Sequence, residues 1–558
     1  MTHLATAHAI ALVGIQGVPV DVQTHIGPGI VGTTLVGLPD ASLREAKERV
    51  RAALFSCGIP TLNRRVTVNM SPADLPKAGS SFDLAIAVSM LAARQLLPDE
   101  LLEDTVFLSE LGLDGALLPV PGILPAALGA LSHGFSRVVV PVANAAEARL
   151  VQGLQVSVCG HLNELISASQ TLNPWQTLEG LARLHDASAL VEAATPGALF
   201  VPGGSSVPGG SSVPGGSSVL GTSAPSGPNE STNQNLPDIS DVRGQDAAVR
   251  ALELAAVGGH HVLLHGPPGA GKTMLARRLP GLLPELTHAD ALMVTALRSL
   301  AAGSRNPDRV TSLAVDPPLE APHHSATLAA LIGGGHPVRP GAISLAHAGV
   351  LLLDEAPEFP ARILDALRQP LEMAEIVVHR ARSRVTFPAR FQLAMTANPC
   401  PCGGDRGELQ CTCSSLRVRQ YRSRLSGPLL DRVDLQMRMA IPHRAALLGD
   451  APPHSKTVRE RVEEARARTA HRLAGTPWTL NAQVPGKFIR NSLQVPRSYL
   501  KSLEQSVERG LISLRGSDRI LRLAWSSADL NSREIPSADD FALAMDLRGL
   551  TNGDNSWI

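Results

Sequence analysis

One stretch near the middle of the chain predicts a strand, a tight loop and a helix in succession. Residues 260–279 read HHVLLHGPPGAGKTMLARRL and contain the pattern G-x-x-x-x-G-K-[ST], with Gly266, Gly271, Lys272 and Thr273 at its fixed positions. Glycines let backbone N–H groups converge on phosphate oxygens, and a helix N-terminus favours negative charge. The stretch therefore predicts an α/β domain that binds a nucleotide.

Two acidic residues complete the predicted nucleotide site. The stretch GVLLLDEAPEF predicts a buried strand that ends at Asp354 and Glu355. We expect Lys272 to reach the phosphates, Thr273 and Asp354 to hold Mg²⁺, and Glu355 to polarise the attacking water. The predicted ATP-binding residues are Gly266, Pro267, Pro268, Gly269, Ala270, Gly271, Lys272, Thr273 and Asp354.

A repeat of Gly, Ser and Pro divides the chain. The unit VPGGSS occurs three times in residues 201–218, and such a composition favours a flexible tether over a core. The 558 residues are too many for one core. We predict an α/β domain at 1–190, a linker at 191–236, an ATPase α/β domain at 237–445 and a helical lid at 446–558.

Bulk charge and hydropathy exclude several classes of protein. Lys and Arg number 50 and Asp and Glu number 50, so DNA binding would have to come from local basic patches. The first residues carry no basic region typical of a signal peptide, and no apolar run reaches the ~18 residues of a membrane span. The expected location is the cytoplasm, without a membrane partner.

Several stretches, in this order along the chain, resemble the magnesium-chelatase-like AAA+ ATPases of the ComM/YifB family. The resemblance covers nearly the whole chain except the linker. The stretches are VGLPDASLREAKERVRAAL, NMSPADLPKAGSSFDLAIA, VRGQDAAVRALELAAVGGHHVLLHGPPGAGKTMLA, APHHSATLAALIGGG, RPGAISLAHAGVLLLDEAPEF, NPCPCG and LSGPLLDRVDL.

The resemblance implies roles for residues that the motifs alone do not assign. Asn398 matches the sensor-1 position, which contacts the γ-phosphate or the water. Arg432 matches an arginine finger that acts on the neighbouring subunit, which implies a ring, expected to be a hexamer. Arg515 matches sensor 2, with Arg519 as the alternative. For any one of these arginines the competing interpretation is a surface ion pair.

The stretch SELGLDGALLPVPGILPAALGA in the N-terminal domain resembles the part of the proteolytic domain of Lon that carries its catalytic lysine, and the resemblance implies a fold of the S5 type. Ser81 could align with the nucleophile of a Ser–Lys dyad, but the lysine position is Leu124, and leucine cannot act as a base. The resemblance thus implies a protease-shaped domain without protease activity, whose present task the sequence leaves open.

Two basic stretches are candidate DNA contacts. EIVVHRARSRVTFPARFQL predicts two strands joined by a basic turn with Arg380, Arg382 and Arg384, a position that is a pore hairpin in related ring motors. Arg417 and Arg419 lie in a second basic stretch. Contacts with phosphates give affinity without sequence specificity, which suits a translocating motor. The alternative for each stretch is a solvated charged face.

Four of the six cysteines lie between residues 400 and 413. Cys400, Cys402, Cys411 and Cys413 could hold Zn²⁺ as four thiolates, and reduced free thiols or disulfides are the alternatives. His323 and His324, which lack an evident carboxylate partner, are interpreted as structural residues.

The sequence thus predicts an ATP-driven ring motor that acts on branched or single-stranded DNA. The resemblance implies branch migration or unwinding of recombination intermediates, including those of natural transformation. The alternatives are a motor subunit of a metal chelatase or of a protein-remodelling complex, an ATP-dependent protease and a scaffold that does not hydrolyse ATP. Leu124 argues against the protease, and Glu355 and Arg432 argue against the scaffold.

Overall fold

A computed structural model gives the structure of the protein. It describes residues 3–37, 40–60, 62–73, 75, 77, 79–194, 236–302, 310–335, 337–380, 383–404 and 411–548. The predicted linker therefore lies almost entirely outside the described residues. Among the residues described, no helix is both long enough and apolar enough to cross a membrane.

The N-terminal domain is a mixed sheet with helices packed against it. Its strands are β1 His3–Val13, β2 Gln16–Gly27, β3 Gly32–Val36, β4 Arg65–Ser71, β5 Thr105–Phe107, β6 Glu110–Leu111, β7 Leu117–Leu118, β8 Arg137–Pro141 and β9 Gln155–Cys159. Its helices are α1 Asp40–Ser56, α2 Asp83–Ala93, α3 Ile123–Ser132, α4 Ala145–Ala148, α5 Leu162–Ser169 and α6 Pro174–Ala194.

Seven of these strands form one sheet in the order β3-β4-β2-β1-β5-β8-β9. β1, β2 and β4 pair antiparallel, whereas β5, β8 and β9 are parallel. α2 is apolar on nearly every side and is buried against β1 and β2, which explains its high content of Ala, Leu and Val. The domain is α/β, as predicted, while its relation to Lon stays a prediction.

The second domain contains the nucleotide-binding motif. Its helices before the lid are α7 Asp246–Gly258, α8 Lys272–Ala276, α9 Leu279–Leu282, α10 His288–Ala301, α11 Leu328–Ile332, α12 Ala342–Leu345, α13 Ala361–Ala366, α14 Arg368–Met373, α15 Ser415–Arg422, α16 Gly427–Leu430 and α17 Arg444–Leu447. Its strands are β10 Val262–His265, β11 Leu319–Glu320, β12 Gly333–Gly334, β13 Arg339–Pro340, β14 Val350–Leu353, β15 Glu375–Arg380, β16 Ser383–Pro388, β17 Gln392–Ala397 and β18 Leu435–Arg438.

Five parallel strands form the ATPase sheet, in the order β11-β14-β17-β10-β18. β10, β14 and β17 are buried along their whole length, as expected for strands covered on both faces. We call the edge where these strands end the carboxyl edge, and the edge where they begin the amino edge. The carboxyl edge thus gathers the residues that follow His265, Leu353 and Ala397.

The C-terminal region is helical, as predicted. Its helices are α18 Ser455–Arg472, α19 Gly486–Ser492, α20 Arg497–Glu508, α21 Leu514–Leu530 and α22 Ala538–Asp546. α18 and α21 pack against α7, and their buried apolar side chains share one core with β10. Buried Asp529 binds Arg472 and accepts hydrogen bonds from Thr469 and Asn481 at 2.8 and 2.9 Å, so its carboxylate is paired inside the lid.

The N-terminal domain packs directly on the ATPase domain. The turn between β1 and β2 meets β16, where a Cβ on Gly14 would lie 2.8 Å from the carbonyl oxygen of Thr386. Ile15 contacts apolar side chains of both domains. On α10, Ser299 donates a hydrogen bond to buried Glu147, and burial raises the pKa of that carboxyl. The contact between Gly14 and Thr386 joins the first domain to the hairpin β15–β16.

Candidate nucleotide site and its surroundings

The phosphate-binding loop has the backbone that its glycines predict. It runs from Gly266 to the N-terminus of α8 at Lys272. A Cβ on Gly266 would lie 2.1 Å from the carbonyl oxygen of Met439, so no other residue fits there. The Lys272 ammonium donates to the carbonyl oxygens of Gly266 and Pro267, both at 2.8 Å, and to Asn398 Oδ1 at 3.0 Å. Burial lowers the pKa of this lysine from its usual value.

The acidic pair follows β14 at the carboxyl edge. Thr273 Oγ1 donates to Asp354 Oδ1 at 2.7 Å, so the two oxygens proposed as Mg²⁺ ligands lie side by side. Glu355 is exposed and has φ of 52°, a left-handed backbone that costs a residue with a side chain about 1–3 kcal/mol. Such strained residues concentrate at active sites, where the surrounding structure holds them.

Thr396 is a member of this site that the sequence analysis missed. It lies on β17, is 1% exposed, donates to Asp354 Oδ1 at 2.6 Å and accepts a hydrogen bond from the backbone N–H of Glu355 at 2.9 Å. The hydroxyl therefore positions both acidic residues. The only sequence signal was its place two residues before Asn398 on the strand beside β10.

Arg432 lies at the amino edge, far from the phosphate-binding loop of its own chain. It precedes β18, and β18 runs parallel to β10 with Leu435 opposite Val262 and Arg438 opposite His265. The four-residue strand separates the two edges by about 13 Å. In this chain the Arg432 guanidinium binds the Glu372 carboxylate and the carbonyl oxygen of Pro428, and its Nε has no hydrogen-bond partner among the described residues.

The amino edge carries a cleft of about 300 Å³ that is rich in arginine. We call it the arginine cleft. Arg515, at the start of α21, lies 3.8 Å from Asp431, and Arg519 lies 3.6 Å from Asp434. The structure thus places both sensor-2 candidates beside Arg432 and away from Lys272 of the same chain. The charged residues that line the cleft are Arg432, Arg515, Arg519, Arg522, Glu372, Asp431, Asp434 and Asp518.

Asp434 anchors the inner wall of the arginine cleft. Burial alone would raise the pKa of this carboxyl, but the hydrogen bond with His260 Nδ1 at 3.3 Å and the nearby Arg519 hold it well below its usual range. His260 Nε2 in turn lies 2.8 Å from Ser526 Oγ on α21. These contacts tie the amino edge of the ATPase sheet to the lid helix.

The predicted basic hairpin exists, and part of it is described. β15 and β16 pair antiparallel with Arg380 opposite Ser383, so the turn that contains Arg382 lies outside the described residues. The Arg384 side chain is exposed, and nothing is described of the Arg380 side chain. On α15, Arg417 and Arg419 are also exposed. The exposed arginines of these two elements are available to a polyanion.

The four cysteines converge. Cys400 Sγ lies 3.2 Å from Cys402 Sγ and 3.4 Å from Cys411 Sγ, and all four sulfur atoms, including that of Cys413, lie within 4.8 Å of one another. All are free thiols, at distances longer than the ~2.05 Å of a disulfide. A tetrahedral Zn²⁺ with Zn–S of about 2.3 Å has S···S edges of about 3.8 Å. The geometry therefore fits a structural metal site, which we call the four-cysteine cluster.

Hydrogen bonds and burial give the thiols of this cluster different pKa values. The bonds from Cys400 and from the Gly404 N–H lower the pKa of the Cys402 thiol to about 6. Burial and the bond to Cys402 raise the pKa of Cys400 to about 12. Among the described residues, this is the one cluster of three or more His, Cys, Asp or Glu side chains that could jointly hold a metal ion. His323 Nδ1 lies 2.7 Å from Ser325 Oγ, and the His323 and His324 rings are tilted by 35° with centroids 4.0 Å apart.

The positions compared with the Lon dyad lie inside the N-terminal domain. Ser81 is partly buried, and its carbonyl oxygen accepts a hydrogen bond from the Ser109 N–H. Leu124 is fully buried in an apolar cluster at the start of α3, where its N–H donates to Glu147 at 2.7 Å. An apolar side chain at position 124 is thus a normal part of this core.

Comparisons with known proteins cover almost the full chain. Three family profiles match: "Magnesium chelatase, subunit ChlI" at residues 238–447, "Subunit ChlI of Mg-chelatase" at 22–144 and "Magnesium chelatase, subunit ChlI C-terminal" at 453–548. Competence protein ComM of Haemophilus influenzae is 36% identical over 98% of both chains. Protein YifB of Escherichia coli is 35% identical over 98% of this chain and 97% of its own.

The chain belongs to the ComM/YifB family of magnesium-chelatase-like AAA+ ATPases. An uncharacterized protein of Mycobacterium tuberculosis is 41% identical over 98% of both chains. Membership of this family agrees with the strand–loop–helix at β10 and with ATP and Mg²⁺ as the ligands of the carboxyl edge.

Proposed function

We propose that this protein is a ring-forming, ATP-driven DNA motor that promotes branch migration or unwinding of recombination intermediates, in particular those of natural transformation. The observation that carries the proposal is the separation of two half-sites on one sheet. The phosphate-binding loop lies at the carboxyl edge, whereas the arginine cleft lies at the amino edge.

The carboxyl edge supports ATP binding and hydrolysis. Lys272, Asn398 and the loop carbonyls form one hydrogen-bonded unit, and Thr273 with Asp354 would hold Mg²⁺. The ion would neutralise phosphate charge when bound. Glu355, held by Thr396, would orient and polarise the attacking water.

The amino edge supports a ring. A guanidinium that stabilises the γ-phosphate must come close to it, and Arg432 cannot do so within its own chain because the sheet intervenes. In a head-to-tail assembly, the arginine cleft of one subunit faces the phosphate-binding loop of the next, and closure of such contacts gives a ring. Arg515 would join Arg432 at that junction. We propose a hexamer as the ring size.

DNA as the substrate rests on exposed arginines and on one relative. Arg384 on the hairpin and Arg417 and Arg419 on α15 offer phosphate contacts without sequence specificity. The relative from H. influenzae carries the name competence protein. A motor that moves DNA strands in the cytoplasm fits both observations.

Zinc is proposed as a structural cofactor of the four-cysteine cluster. A loop in the ATPase domain that brings four sulfur atoms within 4.8 Å without a disulfide fits a metal better than free thiols. In this proposal the zinc ion has a structural role and takes no part in ATP hydrolysis.

The test is ATP hydrolysis by the purified protein with and without a synthetic four-way DNA junction. We expect strong stimulation by the junction, and loss of both basal and stimulated hydrolysis in Glu355→Gln, which keeps the shape of the side chain. Glu358→Gln, which changes an exposed carboxylate three residues away, is the matched control and should behave like the wild type. Hydrolysis that is indifferent to every DNA would contradict the proposal.

A second candidate is the motor subunit of a metal-chelatase-type complex. It is favoured by the three family profiles, all of which are described by magnesium chelatase. Metalation of a porphyrin in the presence of chelatase partner subunits would support it, and its absence together with DNA-stimulated hydrolysis would exclude it.

A further inference from the structure

The four-cysteine cluster touches the phosphate-binding loop. Gly403, in the turn between Cys400 and Gly404, has φ of +76°, and its N–H donates to the Cys400 carbonyl oxygen at 3.0 Å. A Cβ on Gly403 would lie 2.9 Å from Cγ and 3.2 Å from Cδ of Pro268. The turn therefore lies in direct contact with the middle of the loop that would receive the phosphates.

The cluster is also joined to the site through Asn398. Cys400 is 2% exposed and follows Asn398 by two residues, and Asn398 Oδ1 accepts the hydrogen bond from Lys272 at 3.0 Å. Between them, the carbonyl oxygen of Pro399 accepts from Arg422 Nε at 3.3 Å. The cluster thus reaches the nucleotide site along the chain through Asn398 and across a packing contact through Pro268.

A metal would give this contact its rigidity. Four thiols that belong to two segments, Cys400–Cys402 and Cys411–Cys413, must be held together against the entropy of the intervening chain. A Zn²⁺ ion with four thiolate ligands supplies that free energy, since binding of a structural metal is coupled to local folding. Loss of the metal frees the turn that supports Pro268.

We propose that a Zn²⁺ ion in the four-cysteine cluster braces the phosphate-binding loop, so that affinity for ATP depends on zinc. The inference rests on the proposed binding of ATP at Lys272 and adds a structural requirement to it. A preorganised loop binds tightly because it does not have to be ordered when the nucleotide arrives.

The first experiment measures zinc per chain and the Kd of a fluorescent ATP analogue with Mg²⁺, on the full chain and without DNA. We expect about one zinc per chain in protein purified under reducing conditions. Treatment with a zinc-selective chelator should weaken nucleotide binding about tenfold, and added Zn²⁺ should restore it. Cys402→Ser, at an exposed position of the cluster, should lower zinc content and affinity together.

A second variant separates the effect of the contact between Gly403 and Pro268 from the effect of zinc binding. Gly403→Ala should keep zinc but weaken nucleotide binding, because its Cβ pushes on Pro268. Gly475→Ala is the matched control: Gly475 has a similar φ of +80°, and its Cβ would meet no atom of the described part of the chain within 4 Å. It should leave zinc content and affinity unchanged.

The outcomes distinguish this inference from the proposed function. Loss of zinc with unchanged affinity, wild-type affinity in Gly403→Ala, or wild-type protein without zinc would overturn the brace alone. A zinc-loaded wild type that does not bind the ATP analogue would overturn the proposed ATPase and the brace with it.

Discussion

The two edges of the ATPase sheet differ in completeness. At the carboxyl edge, hydrogen bonds within one chain join Lys272 to Asn398 at 3.0 Å and Thr273 to Asp354 at 2.7 Å. At the amino edge, four arginines line a cleft with four carboxylates, on the side of the sheet away from the phosphate-binding loop.

This difference between the two edges indicates which steps one subunit can carry out alone. We propose that the carboxyl edge contains what is needed to bind a nucleotide, so we expect binding to survive changes at the other edge. The arginine cleft holds its charges in pairs such as Arg519 with Asp434, and a phosphate would have to compete with those carboxylates. Catalysis, unlike binding, should therefore require two subunits.

The largest expected effect on nucleotide binding is at the carboxyl edge. Lys272→Ala removes the ammonium that bridges the loop carbonyls and Asn398, and we expect nucleotide affinity to fall by at least about 100-fold. Titration with a fluorescent ATP analogue measures it. Lys487→Ala, at a lysine of the lid, serves as the control. Unchanged affinity in Lys272→Ala would show that the nucleotide binds elsewhere.

At the amino edge, Arg432→Ala should separate binding from hydrolysis. We expect a fall in kcat of about 10³-fold, because an arginine finger acts on the transition state, with nucleotide Kd within about twofold of wild type. Arg362→Ala, an exposed arginine on α13, is the control. A parallel loss of affinity would mean that Arg432 contributes to the fold of its own chain's site.

We expect DNA binding by the hairpin β15–β16 to be independent of nucleotide binding at the carboxyl edge and of the arginine cleft at the amino edge. Arg384→Ala is expected to weaken binding to a DNA junction and to reduce the slope of log affinity against log salt by about one unit. Nucleotide affinity without DNA should not change. Binding measured by anisotropy at several salt concentrations, with exposed Arg51→Ala as the control, tests this. An unchanged slope would remove Arg384 from the DNA surface.

The smallest effect concerns pH at the amino edge. Burial lowers the pKa of His261 to about 4, and its Nδ1 accepts a hydrogen bond from the Leu393 N–H at 3.0 Å. The unfolded chain binds this proton near pH ~6.5, so the contribution to stability is complete above that pH and is lost as the pH falls towards 4.

Urea unfolding at pH 7 and pH 5 measures this contribution. We expect the wild type to lose about 2 kcal/mol more between the two values than His261→Gln does. Exposed His443→Gln should retain the wild-type loss. An equal loss in wild type and His261→Gln would show that His261 is not the titrating group.

The sequence predicts those features of the fold that depend on a pattern of a few neighbouring residues. The apolar run before Gly266 and the run before Asp354 each become a buried parallel strand. These outcomes follow from hydrophobic periodicity and from glycine chemistry, which act over a few residues.

Long-range packing determines what the sequence did not reveal. Thr396 positions Asp354 and Glu355 only because β17 lies between β10 and β14. The contact of Gly403 with Pro268 joins residues 135 positions apart (403 − 268), and no local pattern encodes it. Likewise, only the packing of α21 on the ATPase domain shows that Arg515 lies with Arg432 at the amino edge.

One mixing experiment tests the central claim, that each ATP site needs residues from two subunits. Glu355→Gln and Arg432→Ala are each expected to be nearly inactive, whereas rings that contain both variants should recover hydrolysis. Random one-to-one mixing gives an intact pair at about a quarter of the junctions, so we predict recovery towards that fraction of wild-type activity. Mixed rings, verified with differently tagged subunits, that stay inactive would contradict the account.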